Sequence, residues 1–103
     1  MKAIVPGFGG CYATDLITVG GMRIGYMYRE APDFGGDSGW RFFSGTETQD
    51  YVDDPRNTEI YDVNTIANYD PDIVALLDAA TGSAFVRSSS GEFVPDVPPG
   101  DDA

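Results

Sequence analysis

Acids and tyrosines share one stretch of this sequence: Asp50, Tyr51, Asp53, Asp54, Glu59 and Asp62, with Tyr61 and Tyr69 close by. Carboxylates so placed have three chemical uses. Two of them flanking a cleft can carry general acid–base hydrolysis. Several that converge can hold a hard cation. Interleaved with phenol rings, they can grip a basic protein surface, the rings giving buried area and the acids giving steering and Arg or Lys pairing. The first use is disfavoured because a short chain has little room for such a cleft. The second is disfavoured because Asp50-Tyr51-Val52-Asp53-Asp54 lacks the alternating ligands and central glycine of an EF-hand loop. The third stands beside a plainer alternative, an ordinary solvated acidic surface over half-buried tyrosines.

Other catalytic chemistry is scarce. The chain has no His, which removes the commonest general base and the commonest metal ligand. Its only lysine is Lys2, in an N-terminal stretch that reads as a mobile arm, so a Schiff-base role is disfavoured. Cys11 has no histidine to activate it and reads as a buried structural thiol. Gly7-Phe8-Gly9-Gly10 is followed by neither Lys-Ser/Thr nor a helix start, so it is a hinge and not a phosphate loop. The expectation is a protein that is not an enzyme and needs no metal or cofactor. A second constellation is structural in outlook. If the strands carrying Tyr28-Arg29 and Trp40-Arg41 pair, their guanidinium groups can stack on aromatic rings or pair with Glu30 and Asp37.

Charge narrows the partners. Seventeen Asp and Glu stand against six Lys and Arg in 103 residues, for a net charge of −11. Nine of the acids lie between Glu47 and Asp78, where Arg56 is the one base. Phosphate backbones and anionic bilayers repel such a chain, so nucleic acid and membrane are disfavoured and a basic protein is favoured. A solubility coat is the competing explanation. One cysteine forms no intrachain disulfide, and a cytoplasmic setting is expected. Lys2-Ala3-Ile4-Val5 is interrupted by Pro6 and Gly7, too soon for an export signal. No apolar run reaches transmembrane length.

The elements that must position these residues read as an α+β domain over residues 1–94: a mainly antiparallel sheet of about five strands, with one or two short helices packed on it. Residues 1–10 read as an arm or a short edge strand. Cys11–Val19 reads as a strand by composition, and Gly20-Gly21 as a hairpin turn. Met22, Ile24, Tyr26 and Tyr28 alternate with Arg23, Gly25, Met27 and Arg29, which predicts a strand with the first set on its apolar face. Residues 31–39 form a loop. In the strand that follows, Trp40 and Phe42 share one face, with Arg41 and Phe43 on the other. A short helix is expected around Glu47–Val52, a strand at Ile60–Val63, and a helical turn at Asn64–Asn68. Asp70 caps a helix with Pro71 at its first position and a stripe of Ile73, Val74, Leu76, Leu77 and Ala80. Ser83–Arg87 and Glu92–Val94 flank a turn. Residues 95–103, rich in Pro, Gly and Asp, read as a disordered acidic tail.

Several of these runs together carry a family resemblance. Gly25-Tyr26-Met27-Tyr28-Arg29-Glu30, Asp37-Ser38-Gly39-Trp40-Arg41-Phe42-Phe43-Ser44-Gly45, Ile60 through Ile73, and Gly82-Ser83-Ala84-Phe85 resemble the immunity protein 33 family, also described as a domain of unknown function. The resemblance spans about residues 11–94. The strand after Cys11 and the Phe34-Gly35-Gly36 loop depart from the family pattern. The resemblance implies a role in bacterial polymorphic toxin–immunity systems, in which such a protein binds a cognate toxin domain and blocks it. It supplies no catalytic residues, and Trp40, Arg41, Phe42, Asn68, Asp70 and Pro71 are expected to determine the fold. The leading expectation is therefore an immunity protein, monomer or homodimer, that neutralises a toxin with a basic surface through Asp50, Tyr51, Asp53, Asp54, Glu59 and Asp62. The rivals are an acidic nucleic-acid mimic that occupies DNA- or RNA-binding proteins, a small enzyme using paired carboxylates, and a domain with no remaining partner.

Overall fold

The run Asp37–Phe43 becomes the strand around which the sheet is ordered in the computed structural model, which describes residues 3–99. The strands are β1 (Gly10–Thr14), β2 (Tyr26–Arg29), β3 (Asp37–Phe43), β4 (Thr58–Asp62), β5 (Ala84–Arg87) and β6 (Phe93–Asp96). They lie in the order β4-β1-β3-β2-β5-β6. Only β1 and β3 run parallel; every other neighbour is antiparallel. The fold is α+β as expected, with six strands where about five were read.

The alternation in β3 explains the two sides of the sheet. Trp40 and Phe42 are fully buried on one face, while Arg41 and Phe43 point to the other, as expected. On the core face, Cys11, Ala13, Met27, Trp40 and Phe42 meet Ile17, Val63, Ile66, Ala67, Ile73 and Leu77 from the helical segments. Those segments are α1 (Asp15–Thr18), α3 (Val63–Tyr69) and a 3₁₀ turn at Pro71–Leu76, while α2 (Gln49–Asp53) and a second 3₁₀ turn at Pro55–Asn57 bury no side chain fully. Side chains tie them down. The Trp40 indole N–H donates to the Leu77 carbonyl at 3.1 Å, and Arg29 donates to the Ala79 carbonyl at 2.9 Å.

Five readings are corrected. The strand expected at Cys11–Val19 stops at Thr14, because burying Ile17 turns the chain into α1. Gly20-Gly21 therefore ends a helix and makes no hairpin. The Val19 and Gly20 N–H groups both reach the Asp15 carbonyl at 2.9 Å, Gly21 has φ +74°, and a Cβ on Gly20 would lie 2.7 Å from the Leu16 carbonyl oxygen. The apolar set Met22, Ile24, Tyr26 and Tyr28 does not share a face. Residues 22–25 are not in a strand, Met27 enters the core, and Tyr26 and Tyr28 face outward. The helix after Asp70 is a six-residue 3₁₀ turn; of its stripe only Ile73 and Leu77 are buried, and Ala80 is exposed. The described part of the first ten residues, from Ala3 on, is no loose arm. The Ile4 and Val5 N–H groups donate to Asn64 Oδ1 at 2.7 and 2.9 Å, and Phe8 packs on the core.

Smaller differences concern boundaries. The loop at 31–39 is shorter by three residues because β3 begins at Asp37, and α3 extends the expected turn to Tyr69. β6 runs through Pro95 and Asp96, so the chain stays ordered into what was read as tail. Lys2 and the tail from Gly100 onward lie outside the described residues.

Near the middle of the sheet is a buried charge pair. Arg41 is 2 % exposed and donates through Nη2 and Nη1 to Asp37 at 2.7 and 2.9 Å, and through Nε to Glu30 at 2.6 Å. Burial works against the Asp37 carboxylate. The guanidinium and the N–H groups of Asp33 and Gly39 outweigh it and hold the carboxyl down to about 2, from 3.8. A depressed pKa gives stability that is complete above the unfolded value and lost as pH falls through the folded one. Asp37→Asn should therefore cost about 3–5 kcal/mol in urea denaturation at neutral pH, since it strands a buried guanidinium. It should also flatten the loss of stability that the parent shows between pH 3.8 and about 2. An equally acid-sensitive variant would contradict this assignment.

Candidate functional site

The face of the sheet away from the helices is only partly covered, and its register shows what it presents. One row across it reads Ile60, Tyr12, Arg41, Tyr28, Ala84 and Asp96; the next reads Phe43, Tyr26, Val86 and Val94. The loop before β3 covers one end, where Phe34 meets Tyr12 edge-on at 5.6 Å. Between there and α2 lies a groove of about 520 Å³ lined by Tyr26, Tyr28, Phe43, Val52, Val86 and Pro99, with Glu47 and Gln49 on its lip. Its rings touch: Tyr28 stacks on Phe43 at 5.7 Å, and Tyr26 lies 5.9 Å from Tyr28 and 6.0 Å from Phe43. Burial and the nearby Asp96 push the Tyr26 hydroxyl up to about 12, and burial and Glu30 raise that of Tyr28, so both rings stay neutral phenols.

Glu47 is fixed at this lip by its surroundings. It accepts from the Thr14 hydroxyl at 2.6 Å and from the Ser44 and Gly45 N–H groups at 2.7 and 2.9 Å. Burial opposes its charge, but those donors prevail and hold its carboxyl below the usual range.

The acids and tyrosine singled out in the sequence lie on three consecutive elements. Asp50, Tyr51 and Asp53 sit on α2, with Asp50 and Asp53 exposed. Asp54 caps the 3₁₀ turn and pairs with Arg56 at 2.8 Å, which lowers its pKa. Glu59 and Asp62 are exposed on β4; the Tyr61 hydroxyl lies 3.3 Å from Glu59, and Asp62 caps α3 through the Asn64 N–H at 2.8 Å. No ion pair reaches Asp50, Asp53, Glu59 or Asp62 among the described residues. The other named residues lie inside the fold. Asn68 on α3 donates to the Asn64 carbonyl at 2.8 Å, and Pro71 opens the 3₁₀ turn that Asp70 caps. Asp70 is 4 % exposed, accepts from the Ile24 N–H at 3.0 Å and pairs with Arg87 at 2.7 Å. Sequence reading missed the groove. The signal was there in Tyr26, Tyr28 and Phe43, but Tyr26 and Tyr28 were assigned to one apolar face with Met22 and Ile24, and Phe43 was not joined to them.

The run of residues that shapes both faces is also what relates this chain to known proteins. The model of the immunity protein Imm33 domain matches residues 11–97. The chain belongs to the Imm33 immunity-protein family. The match takes in the six strands of this Imm33 domain except Gly10, together with every residue lining the groove except Pro99. Comparison with curated proteins and with solved structures gave no significant match.

Among the described residues of the Imm33 domain, no three Cys, Asp or Glu side chains converge as a metal site, and no helix is long and apolar enough to cross a membrane. Cys11 is fully buried, and burial raises its thiol to about 12. A thiol reagent at pH 8 should therefore leave Cys11 unmodified in the native protein and label it only at the rate of unfolding. Rapid stoichiometric labelling without denaturant would contradict this placement.

Proposed function

We propose that this Imm33 domain binds a cognate bacterial toxin domain and neutralises it by masking, and that α2, the turn after it and β4 offer an acidic, tyrosine-bearing contact to a basic toxin surface. The family match over residues 11–97 carries this reading, because it gives the chain the general role of an immunity protein. Charge placement supports the choice of face. Arg29, Arg41 and Arg87 are turned to internal partners, and Arg23 and Arg56 pair with Asp72 and Asp54. Asp50, Asp53, Glu59 and Asp62 project without such a cation, so the surface from α2 to β4 carries net negative charge. Such a surface accelerates encounter with a basic partner and is screened by salt.

The test is binding and growth protection with the toxin domain encoded beside this gene. Wild-type protein should bind at submicromolar concentration and restore growth to cells expressing that toxin. Combining Asp50→Asn, Asp53→Asn and Glu59→Gln should slow association about tenfold at low salt while leaving thermal stability nearly unchanged. Absence of binding at micromolar concentration overturns the toxin reading. Salt-indifferent association overturns the acidic contact. Equal binding to unrelated basic DNA-binding proteins would point to a nucleic-acid mimic instead.

A further inference from the structure

This fold repeats one local arrangement. Arg41 lies 4.5 Å over the Tyr12 ring while pairing with Asp37 and Glu30. Arg87 lies 4.3 Å over the Phe93 ring while pairing with Asp70 and Asp72. In each case a guanidinium is held between a ring face and carboxylates, a geometry in which cation–π attraction and ion pairing add. The open-face groove has the rings and the carboxylate of that arrangement without the cation. Tyr26, Tyr28 and Phe43 form its floor, Glu47 stands at its lip, and among the described residues neither Lys nor Arg lines it.

We propose that the groove is the anchor site for an arginine side chain of the toxin, flanked by apolar residues that lie against Val52, Val86 and Pro99. This rests on the toxin-binding reading above and names the chemistry of the contact. Charge complementarity selects this occupant. A carboxylate lip beside uncharged aromatic rings favours a weakly hydrated cation with a planar face, which is the guanidinium. A second copy of this chain is disfavoured because each copy carries a net charge of −11, and its arginines among the described residues are already held by their own carboxylates and carbonyls. The groove also adjoins α2, whose Gln49 and Val52 line it while Asp50 and Asp53 stand exposed on the same short helix. Steering by the acids and anchoring in the groove thus belong to one continuous surface.

Two variants put a competing cation on different sides of the groove: Gln49→Lys on exposed α2 and Val86→Lys on β5. Each should weaken binding of the adjacent-gene toxin domain about tenfold or more in calorimetry, whereas Gln49→Glu should bind as well as the parent or better. Tyr28→Leu, which keeps apolar bulk and removes the ring, should weaken binding about three- to tenfold. Circular dichroism and thermal unfolding confirm that each variant is folded, and exposed Gln49 keeps the test decisive if the strand variants are not. If wild type binds the toxin and all the lysine variants bind equally well, the groove assignment falls while toxin neutralisation stands. If wild type does not bind, both fall. If the protein sediments as a dimer that Gln49→Lys dissociates, the groove belongs to a second copy and the assignment is overturned.

Discussion

The buried Arg41–Asp37 pair is the constraint to which much of the sheet answers. A guanidinium this enclosed is tolerated only where carboxylates and rings complete its surroundings, so its partners must be held in place. Glu30 is brought in from the end of β2, Tyr12 from β1, and Asp37 from the first residue of β3 itself. Asp37 in turn accepts from the Asp33 and Gly39 N–H groups at 2.8 Å each, which folds the loop back on the strand it precedes. Gly39 is the residue that permits this closeness: at φ +89°, a Cβ there would sit 2.2 Å from the Glu30 carbonyl oxygen. One guanidinium, through two ion pairs and a ring contact, thus joins β1, β2, β3 and the loop, across the parallel pairing of β1 and β3.

The acidic segment divides into two kinds of residue. Asp54, Asp62 and Asp70 cap short helical segments, Glu47 gathers donors from β1 and the end of β3, and Asp70 and Asp72 hold Arg87. These acids shape the chain, and Asp54, Asp70 and Asp72 are also matched by arginines, whereas Glu47 and Asp62 accept from hydroxyl or N–H groups alone. Asp50, Asp53 and Glu59 have no comparable structural duty beyond side-chain contacts with Gln49 and Tyr61. The net charge of the sequence therefore overstates what a partner meets, and the charge that does reach the surface is local.

How far the sequence could be read depended on where each residue's partners lie. Trp40, Phe42, Arg41 and Phe43 were legible because one strand's alternation is a local property, whereas the pairing that joins Arg29 to Trp40 and Tyr28 to Arg41 could be read only as a condition. Asp70-Pro71 was legible as a cap, but its continuation was not. Ile73 and Leu77 suit an α-helix equally well, and the Trp40 and Arg29 bonds to Leu77 and Ala79 come from far along the chain. Tyr26 and Tyr28 misled because apolar side chains sit on both faces of the sheet, so hydrophobicity cannot say which face is covered. Gly20-Gly21 misled because a helix end and a hairpin ask for the same residue.

The sheet also ends twice, and the two ends bear on how this molecule behaves when abundant. Among the described residues β4 and β6 each have one neighbour only and leave a row of backbone groups that another strand could match. β4 carries Glu59 and Asp62 beside exposed Ile60, and β6 carries Asp96 and Pro95, which lacks an N–H to offer. Two molecules approaching edge to edge would meet like charge at either end and, at β6, an interrupted ladder. Both described edges of the sheet thus oppose strand-to-strand joining between copies by charge, and at β6 by the missing donor of Pro95 as well.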